Sequence, residues 1–481
     1  MSRPSQPSTY PANVVDGAPA PVGDAVRQSL ARAKIPASTD ALDRAEHGRD
    51  WWPLSLASAR RGVVEHWPGI VVSPRTTDEV RETILIATHY GVAVTAQGGR
   101  SGVEGGAVAP SGGIALDLTG LDRVLSCDVV SGTVTTEAGV FGPELEREVN
   151  AHGFTVGHFP QSFDLSTVGG WLACRGAGQY SNRYGKIEDI VRSLTVVLAS
   201  GDVVHLGGRG PRRATGPDLV QLFVGSEGAL GVITEATLVV RPLPAYERRT
   251  ALAFSSFDDG MAACRNIVQR DAHPAVLRLY DEVESQRTFG VDACVLTVID
   301  EGPQPFVDAT MAIVDACTQS ATQLDESLVG HWLEHRNDVS ALSSLWDAGV
   351  VVDTIEVAAP WSVLSEIRTD VLDALRSLAP TLVASVHQSH AYVDGACLYF
   401  TFAGRPDEPV PYYRAAWDMA TTTTLARGGS LSHHHGVGRN RARFMPEALG
   451  SGFDVLRAIK GVLDPMNLLN PGVLGLGGEP W

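Results

Sequence analysis

The spacing of apolar residues predicts alternating strands and helices from about residue 65 onward. Residues 69–74, GIVVSP, form an apolar run typical of a short strand. In the following TTDEVRETILIATHYG, apolar residues recur three and four positions apart, which predicts a helix. Thr76 and Glu79 are spaced for a capping box at its start, and Gly91 for a C-terminal cap. A strand, VAVTAQ, then completes a strand–helix–strand unit.

The same alternation continues to residue 244 and then changes. IALDLT and GTVTTEAGV are predicted strands, FGPELEREVNAHG is a predicted helix, and residues 193–206 form a predicted hairpin that turns at Ser200 and Gly201. The strand GVITEATLVVRPLP ends in prolines, which mark a domain boundary. Residues 245–427 combine strands with longer helical stretches such as APWSVLSEIRTDVLDALRSLA. This second region is therefore predicted to be an α+β domain with a mostly antiparallel sheet.

Composition and charge narrow the classes of function. The chain has 481 residues and a net charge of −17, so general binding to nucleic acid or to an anionic membrane is not expected. No run approaches the roughly 18–20 apolar residues that span a bilayer, so we expect no integral membrane segment. The N-terminal segment lacks the apolar core of a signal peptide, and the six cysteines form no CxxC pair. These features favour a cytoplasmic protein with reduced thiols.

Three segments of the first region are rich in glycine and other small residues. They are GGRSGVEGGAV (98–108), PQSFDLSTVGGWLACRGAGQYSNRYGKIEDIV (160–191) and GSEGALGVIT (225–234). The first is neither a P-loop nor a GxGxxG motif followed by a helix, and alone it is equally consistent with a hairpin loop that binds nothing. Glycines let backbone N–H groups approach a phosphate closely. Three such segments in one region indicate a long ligand, such as a dinucleotide.

In their order and spacing, these segments resemble the FAD-binding domain of the vanillyl-alcohol-oxidase/PCMH flavoprotein superfamily. GGRSGVEGG resembles its diphosphate loop, STVGGW, YGKIEDIV and GSEGALGVIT resemble later flavin-contacting segments, and KGVLDPMNLLNPG resembles its C-terminal signature. The resemblance implies an α+β fold in which a two-subdomain PCMH-type FAD-binding domain is joined to a cap, or substrate, domain. The implied division is a flexible N-terminal tail with a lead-in helix (1–64), the FAD-binding domain (65–244), the cap domain (245–435) and a C-terminal segment that returns to the FAD-binding domain (436–481).

The resemblance also implies how FAD is bound. Some members attach FAD covalently through a histidine in or near the diphosphate loop, whereas QGGRSGVEGG contains neither His nor Cys. We therefore expect noncovalent FAD. The residues expected to contact it are Gln97, Gly98, Gly99, Arg100, Ser101, Gly102, Gln161, Ser166, Thr167, Gly169, Gly170, Cys174, Gly176, Glu227, Gly228, Gly231, Val232, Ile233 and Asn470.

A run of three histidines in GGSLSHHHGVGRNR (428–441) is the most distinctive feature of the C-terminal half. With DGACLYF, AVLRLYD and GPRRATGPD, it resembles the alkyldihydroxyacetonephosphate synthase family. That family exchanges an acyl group for an alkyl ether without net oxidation, through an adduct between flavin N5 and a substrate carbon beside a ketone. The resemblance implies that Arg278 binds the substrate phosphate, that Tyr399 is the acid/base, provided that its pKa is lowered, and that the histidines form a catalytic wall: His433, His434 and His435.

Several alternatives stay open. Arg278 could instead pair with a carboxylate, and Tyr399 could be a core residue. The runner-up function is an FAD-linked dehydrogenase of D-2-hydroxy acids. The segment GGRSGVEGG resembles the diphosphate loop of those dehydrogenases more closely than that of the synthase family. Those enzymes hold a metal with HxGDGNLH-like and EHGxG-like segments, but here His434 stands in place of the Glu, and we predict no metal site.

Three consecutive histidines on a strand would also point to alternate faces and not converge on one ion. A flavin-binding protein without turnover is a third hypothesis. The expected partner is a small-molecule substrate, and a homodimer is one alternative for the oligomeric state.

Overall fold

The computed structural model describes residues 12–208, 210–337 and 345–478 of the chain. The sequence predicted a flexible tail and one lead-in helix for residues 1–64. Residues 1–11 lie outside the described residues, and residues 12–64 contain more secondary structure than expected. They form a short strand, β1 (Ala37–Ser38), and four helices, Ala12–Asp16, Asp24–Arg32, Ala41–Glu46 and Pro53–Arg60. The physical reason is burial: Trp52 is only 1% exposed and packs into the core of the cap region.

The first sheet has four strands in the order β1-β2-β4-β3, which add β2 (Ile70–Val72), β3 (Val94–Gln97) and β4 (Ile114–Asp117). Both β2 and β3 pair in parallel with β4, and helix Thr77–Tyr90 connects β2 to β3 as predicted. The helix begins at Thr76, whose hydroxyl accepts from the N–H of Glu79, and ends at Gly91 with φ 64°. The predicted capping box was wrong in one half, because the Glu79 carboxylate accepts from the N–H of Arg75 instead.

The second sheet is antiparallel, with the order β5-β6-β10-β8-β9, and β7 and β11 form a separate two-stranded antiparallel ribbon. The β8–β9 hairpin confirms the predicted turn at residues 200–201, where Gly201 has φ 83°. The strands are β5 (Val124–Asp128), β6 (Thr133–Glu137), β7 (Phe154–Thr155), β8 (Val191–Val197), β9 (Val203–Gly207), β10 (Val232–Val239) and β11 (Arg241–Pro242). The helices are Gly142–Ala151, Val168–Cys174, Ser181–Tyr184, Ile187–Ile190 and Leu219–Phe223.

The cap region confirms the predicted antiparallel sheet. Its seven strands have the order β15-β12-β14-β13-β17-β18-β16, and every pairing is antiparallel. The strands are β12 (Tyr246–Phe254), β13 (Val276–Tyr280), β14 (Cys294–Gly302), β15 (Thr322–Gln323), β16 (Val351–Pro360), β17 (Thr381–Ala391) and β18 (Gly395–Gly404). The helices are Phe257–Val268, Glu282–Phe289, Gln304–Cys317, Ser327–His335, Trp361–Ser377 and Pro409–Ala426. Apolar residues of this sheet and its helices form the largest core cluster.

The C-terminal segment folds back onto the first sheet. After helices Met445–Leu449 and Ser451–Leu463, the backbone N–H of Val94 donates to Leu468, and the N–H of Asn470 donates to Val94. The chain end therefore extends the edge at β3, directly beside the first glycine-rich loop. Within the described ranges, no helix has both the length and the apolar character needed to cross a membrane.

Candidate active site

A cleft of about 1090 Å³ lies where the glycine-rich segments meet the cap sheet. One end is lined by the loop after β3, by residues around helix Val168–Cys174 and by the segment before β10. The other end is lined by side chains of β13, β17 and β18 and by the histidine run. The topology thus brings segments from all parts of the sequence to one site.

At the first end, the glycine-rich segments touch each other through their backbones. A Cβ on Gly98 would collide with the hydroxyl of Thr167, and a Cβ on Gly99 would collide with the carbonyl of Leu165. The side chain of Gln97 is buried and donates to the carbonyls of His47 and Ala107, which fixes the start of the loop. These contacts require glycine at both positions and leave a concave backbone surface.

All but one of the predicted cofactor-binding residues line this cleft. The exception is Asn470, whose side chain donates to the carbonyls of Gly106 at 2.9 Å and Glu227 at 2.7 Å. Asn470 therefore links the loop that contains Gly106 to the loop that contains Glu227, both of which line the cleft. The Glu227 carboxylate in turn accepts from the backbone N–H groups of Val437 and Gly438, which fastens the histidine loop to the glycine-rich end.

The histidine run is held by one buried carboxylate. Glu356 on β16 is fully buried and accepts from the Ser432 hydroxyl at 2.9 Å and from the backbone N–H groups of His433 and His435. Arg441 donates to the same carboxylate at 2.9 Å. Burial alone would raise the pKa of Glu356, but Arg441 holds it well below its usual range. Glu356 is therefore an anionic template for this loop.

The three histidines are not on a strand. Two of them, His433 and His434, converge with another histidine, His390 on β17. The nitrogens of His390, His433 and His434 lie within 4.8 Å of one another. The expectation concerned all three consecutive histidines, and among the described residues the convergent group contains only His433 and His434 of the run, which lies in a loop and not on a strand. His433 hydrogen-bonds Tyr392 and the Nδ1 of His434, and His390 hydrogen-bonds Ser181. The absence of a metal stays a prediction.

Burial determines the charge of this wall. It lowers the pKa of His433 and His434 to about 3 and of His435 to about 4. All three rings are therefore neutral at physiological pH. Each neutral ring can line the cleft, donate one proton from its N–H group and accept one at its other nitrogen.

Tyr399 on β18 lies among these rings. Its ring is nearly parallel to His387 at 4.8 Å and to His434 at 6.2 Å, and it meets His435 edge-on at 5.5 Å. Burial raises the pKa of Tyr399, so the lowered pKa on which its role as a base depended is not found. The Thr354 hydroxyl donates to the Tyr399 oxygen at 3.1 Å. Because the Tyr399 oxygen accepts this hydrogen bond, its own O–H group can donate to another acceptor, which suits a proton donor.

Arg278 on β13 also lines the cleft. Its Nη2 lies 2.7 Å from His387 Nε2, and the guanidinium packs on the rings of Tyr280 and Trp332. The opposite nitrogen of His387 lies 2.8 Å from Glu284. Arg278 is thus connected to the carboxylate of Glu284 through His387, whereas the predicted alternative was a direct pair with a carboxylate.

Sequence reasoning missed the charged residues that organise the site. These are Glu104, Glu284, Glu356, His387 and Arg441, of which the three glutamates and Arg441 are almost fully buried. For Glu356 and His387 a signal was present, because charged or imidazole side chains interrupt the apolar pattern of DTIEVAAP and SVHQSHAYV, the segments that form most of β16 and β17. Such residues are buried only when they have partners.

Comparisons with known proteins agree with this architecture. Residues 68–207 match the FAD binding domain family, and residues 243–474 match the family of C-terminal domains of FAD linked oxidases. The uncharacterized FAD-linked oxidoreductase YgcU of Escherichia coli O157:H7 is 30% identical over 85% of this chain and 89% of its own. The chain belongs to the FAD-linked oxidase family. This family member is an FAD-dependent enzyme with the PCMH-type fold.

Other relatives of this FAD-linked oxidase differ in their named activities. Alkyldihydroxyacetonephosphate synthase of Caenorhabditis elegans is 29% identical over 96% of this chain and 85% of its own. Glycolate oxidase subunit GlcD of Bacillus subtilis is 27% identical over 84% of this chain and 88% of its own. A solved alkyldihydroxyacetonephosphate synthase structure superimposes with a TM-score of 0.81 at 26% identity, covering 95% of this chain and 88% of that one.

The residues at the glycine-rich end fit FAD. The backbone of Gly98 and Gly99 forms a cradle that a Cβ would fill, and the buried Gln97 Oε1, whose residue lines the cleft, has no hydrogen-bond partner within the described part of the chain. Backbone N–H groups suit a diphosphate, and an unpaired amide oxygen suits an N–H group of the flavin ring.

Proposed function

We propose that this enzyme exchanges the acyl group of an acylated dihydroxyacetone phosphate for an alkyl ether. The ester and an alcohol give the ether and a free carboxylic acid, so the reaction has no net oxidation. The observation that supports this proposal is Tyr399, a neutral hydroxyl whose oxygen accepts from Thr354 and whose own proton is free to reach a substrate oxygen. It lies among neutral histidines in a cleft that also contains Arg278.

The side chains divide the work as follows. Arg278 binds the substrate phosphate, since its planar guanidinium donates parallel hydrogen bonds to an anion. Tyr399 donates its proton to the departing carboxylate and recovers one from the incoming alcohol. His434 and His435 exclude water and orient the ketone, and the neutral His434 takes the proton from the carbon beside the ketone and later returns it. FAD, when bound, would supply a ring that accepts the electron pair left on that carbon and gives it back once the ether has formed.

The first experiment is an anaerobic visible spectrum of the holoenzyme. An acylated dihydroxyacetone phosphate with a long-chain alcohol should release the carboxylic acid, and a panel of D-2-hydroxy acids should leave the flavin oxidised. Bleaching by a hydroxy acid without acid release from the ester would overturn the proposal.

The residue roles are tested by Tyr399→Phe and His434→Ala. Each variant should keep its FAD and lose roughly 100-fold or more in kcat, the usual scale for a missing proton-transfer group. Tyr246→Phe is a matched control, because that residue does not line the cleft and its hydroxyl makes a long hydrogen bond, 3.4 Å, to Asp308 in the cap region. Normal turnover by both site variants would remove the assigned roles.

A second candidate function is oxidation of a D-2-hydroxy acid, favoured by the cluster of His390, His433 and His434. Imidazole nitrogens within 4.8 Å of one another can hold a divalent ion that orients a hydroxy acid. Elemental analysis of the purified holoenzyme separates the two functions: about one zinc or similar ion per chain, together with bleaching by a hydroxy acid, favours the dehydrogenase.

A further inference from the structure

Arg278 has an imidazole, not a carboxylate, as its hydrogen-bond partner. Its Nη2 lies 2.7 Å from Nε2 of His387. A guanidinium only donates hydrogen bonds, so His387 Nε2 must be the acceptor and carry no proton. The single ring proton then belongs to Nδ1, which donates to Glu284 at 2.8 Å. The direction of both hydrogen bonds therefore follows from the chemistry of Arg278.

Glu284 fixes this tautomer because it is a locked anion. Its side chain is 1% exposed, and its other oxygen accepts from the hydroxyls of Ser385 at 3.0 Å and Thr401 at 2.9 Å. Although burial would raise the pKa of Glu284, the hydrogen bond from His387, the charge of Arg287 and the hydrogen bond from Thr401 hold it below its usual range. Burial lowers the pKa of His387, so that ring stays neutral between the two charged groups.

The same ring also packs on the proposed proton donor. His387 is nearly parallel to Tyr399 at 4.8 Å and tilted on Tyr280 at 5.1 Å. We infer that Glu284 and His387 are a positioning pair: they hold Arg278 through a neutral acceptor, which leaves its positive charge available to the anionic group of the substrate beside Tyr399. This inference rests on the proposed function, which assigns anion binding to Arg278.

Four variants separate the hydrogen bonds from the packing. His387→Phe keeps an aromatic ring but removes both hydrogen bonds. Glu284→Gln is isosteric. Because Ser385, Thr401 and Arg287 favour the amide oxygen on their side, the NH₂ group faces Nδ1 and reverses the tautomer, so Nε2–H then opposes Arg278. His387→Gln can still accept from Arg278 and donate to Glu284. Ser385→Ala is the matched control, because it removes a donor to Glu284 without changing the tautomer.

The test measures how tightly two probes bind to the holoenzyme, with the change in the flavin spectrum as the readout. Glycerol 3-phosphate is the anionic probe and glycerol is the neutral one. His387→Phe and Glu284→Gln should each weaken glycerol 3-phosphate about tenfold or more, the scale of a misplaced charge-assisted hydrogen bond. His387→Gln and Ser385→Ala should stay within about threefold of wild type. Glycerol binding should not change, and substrate KM should rise far more than kcat falls.

Three results would overturn the positioning pair: unchanged phosphate affinity in His387→Phe and Glu284→Gln, equal weakening of glycerol and glycerol 3-phosphate, or no preference of the wild type for the phosphate. Failure of the proposed reaction has a different signature. The wild type would then release no acid from the acylated ketone, while the affinity pattern for glycerol 3-phosphate persisted.

Discussion

The two ends of the cleft are built by different physical means. At the glycine-rich end, backbone segments approach so closely that Gly98 and Gly99 tolerate no side chain. At the cap end, buried charges from distant segments hold the functional side chains, as Glu284 does for His387 and Glu356 does for the histidine run. The first end depends on shape and the second on paired charge, so the two should fail in different ways when altered.

Arg441 connects the two ends. It lies 3.0 Å from Glu104 in the glycine-rich loop and 2.9 Å from Glu356 on β16, and all three side chains are at most 3% exposed. Burial raises the pKa of Glu104 well above its usual range, whereas Arg441 lowers that of Glu356, so the ionised partner of Arg441 is Glu356. Removing Arg441 therefore leaves the buried Glu356 anion without its cationic partner.

The largest effect that we expect comes from Arg441→Met. Loss of one member of a buried charged group costs about 3–5 kcal/mol of the free energy of unfolding, measurable by urea denaturation. The control is Arg427→Met, whose side chain is 43% exposed and pairs with exposed Glu366 and half-buried Asp370. That variant should change stability by about 1 kcal/mol or less. Equal effects would mean that burial of charge does not distinguish the cap end.

Gly99→Ala tests the shape-dependent end. The added methyl group meets the carbonyl of Leu165, and overpacking of this kind costs about 1–3 kcal/mol. FAD affinity should fall about tenfold to hundredfold, measured by titrating apoprotein with FAD. Gly461→Ala is the control, since a Cβ there has no neighbouring atom within 4 Å. Unchanged affinity in Gly99→Ala would show that the close backbone contact is not needed for the cofactor.

The same contrast explains what the sequence could predict. The glycine-rich loops, the helix at Thr77–Tyr90 and the antiparallel cap sheet were predictable because glycine spacing and apolar periodicity are local signals. The partners of Arg278 and of the histidine run were not, because Glu284 is 103 positions from His387 and Glu356 is 77 from His433. The raised pKa of Tyr399 also depends on burial, which no local pattern specifies.

The smallest expected effect sharpens the comparison through pH. Asp353 at the cap end accepts from Tyr413 and Trp417, yet burial raises its pKa to about 6. The folded state therefore retains a proton between about pH 4 and 6 that the unfolded chain has lost, so wild-type stability falls as pH rises through this window. Asp353→Asn lacks this titration. Urea denaturation at pH 4.5 and 7.5 should show the wild type losing about 1–3 kcal/mol relative to the variant, and a constant difference would mean that Asp353 is ionised without cost inside the cap.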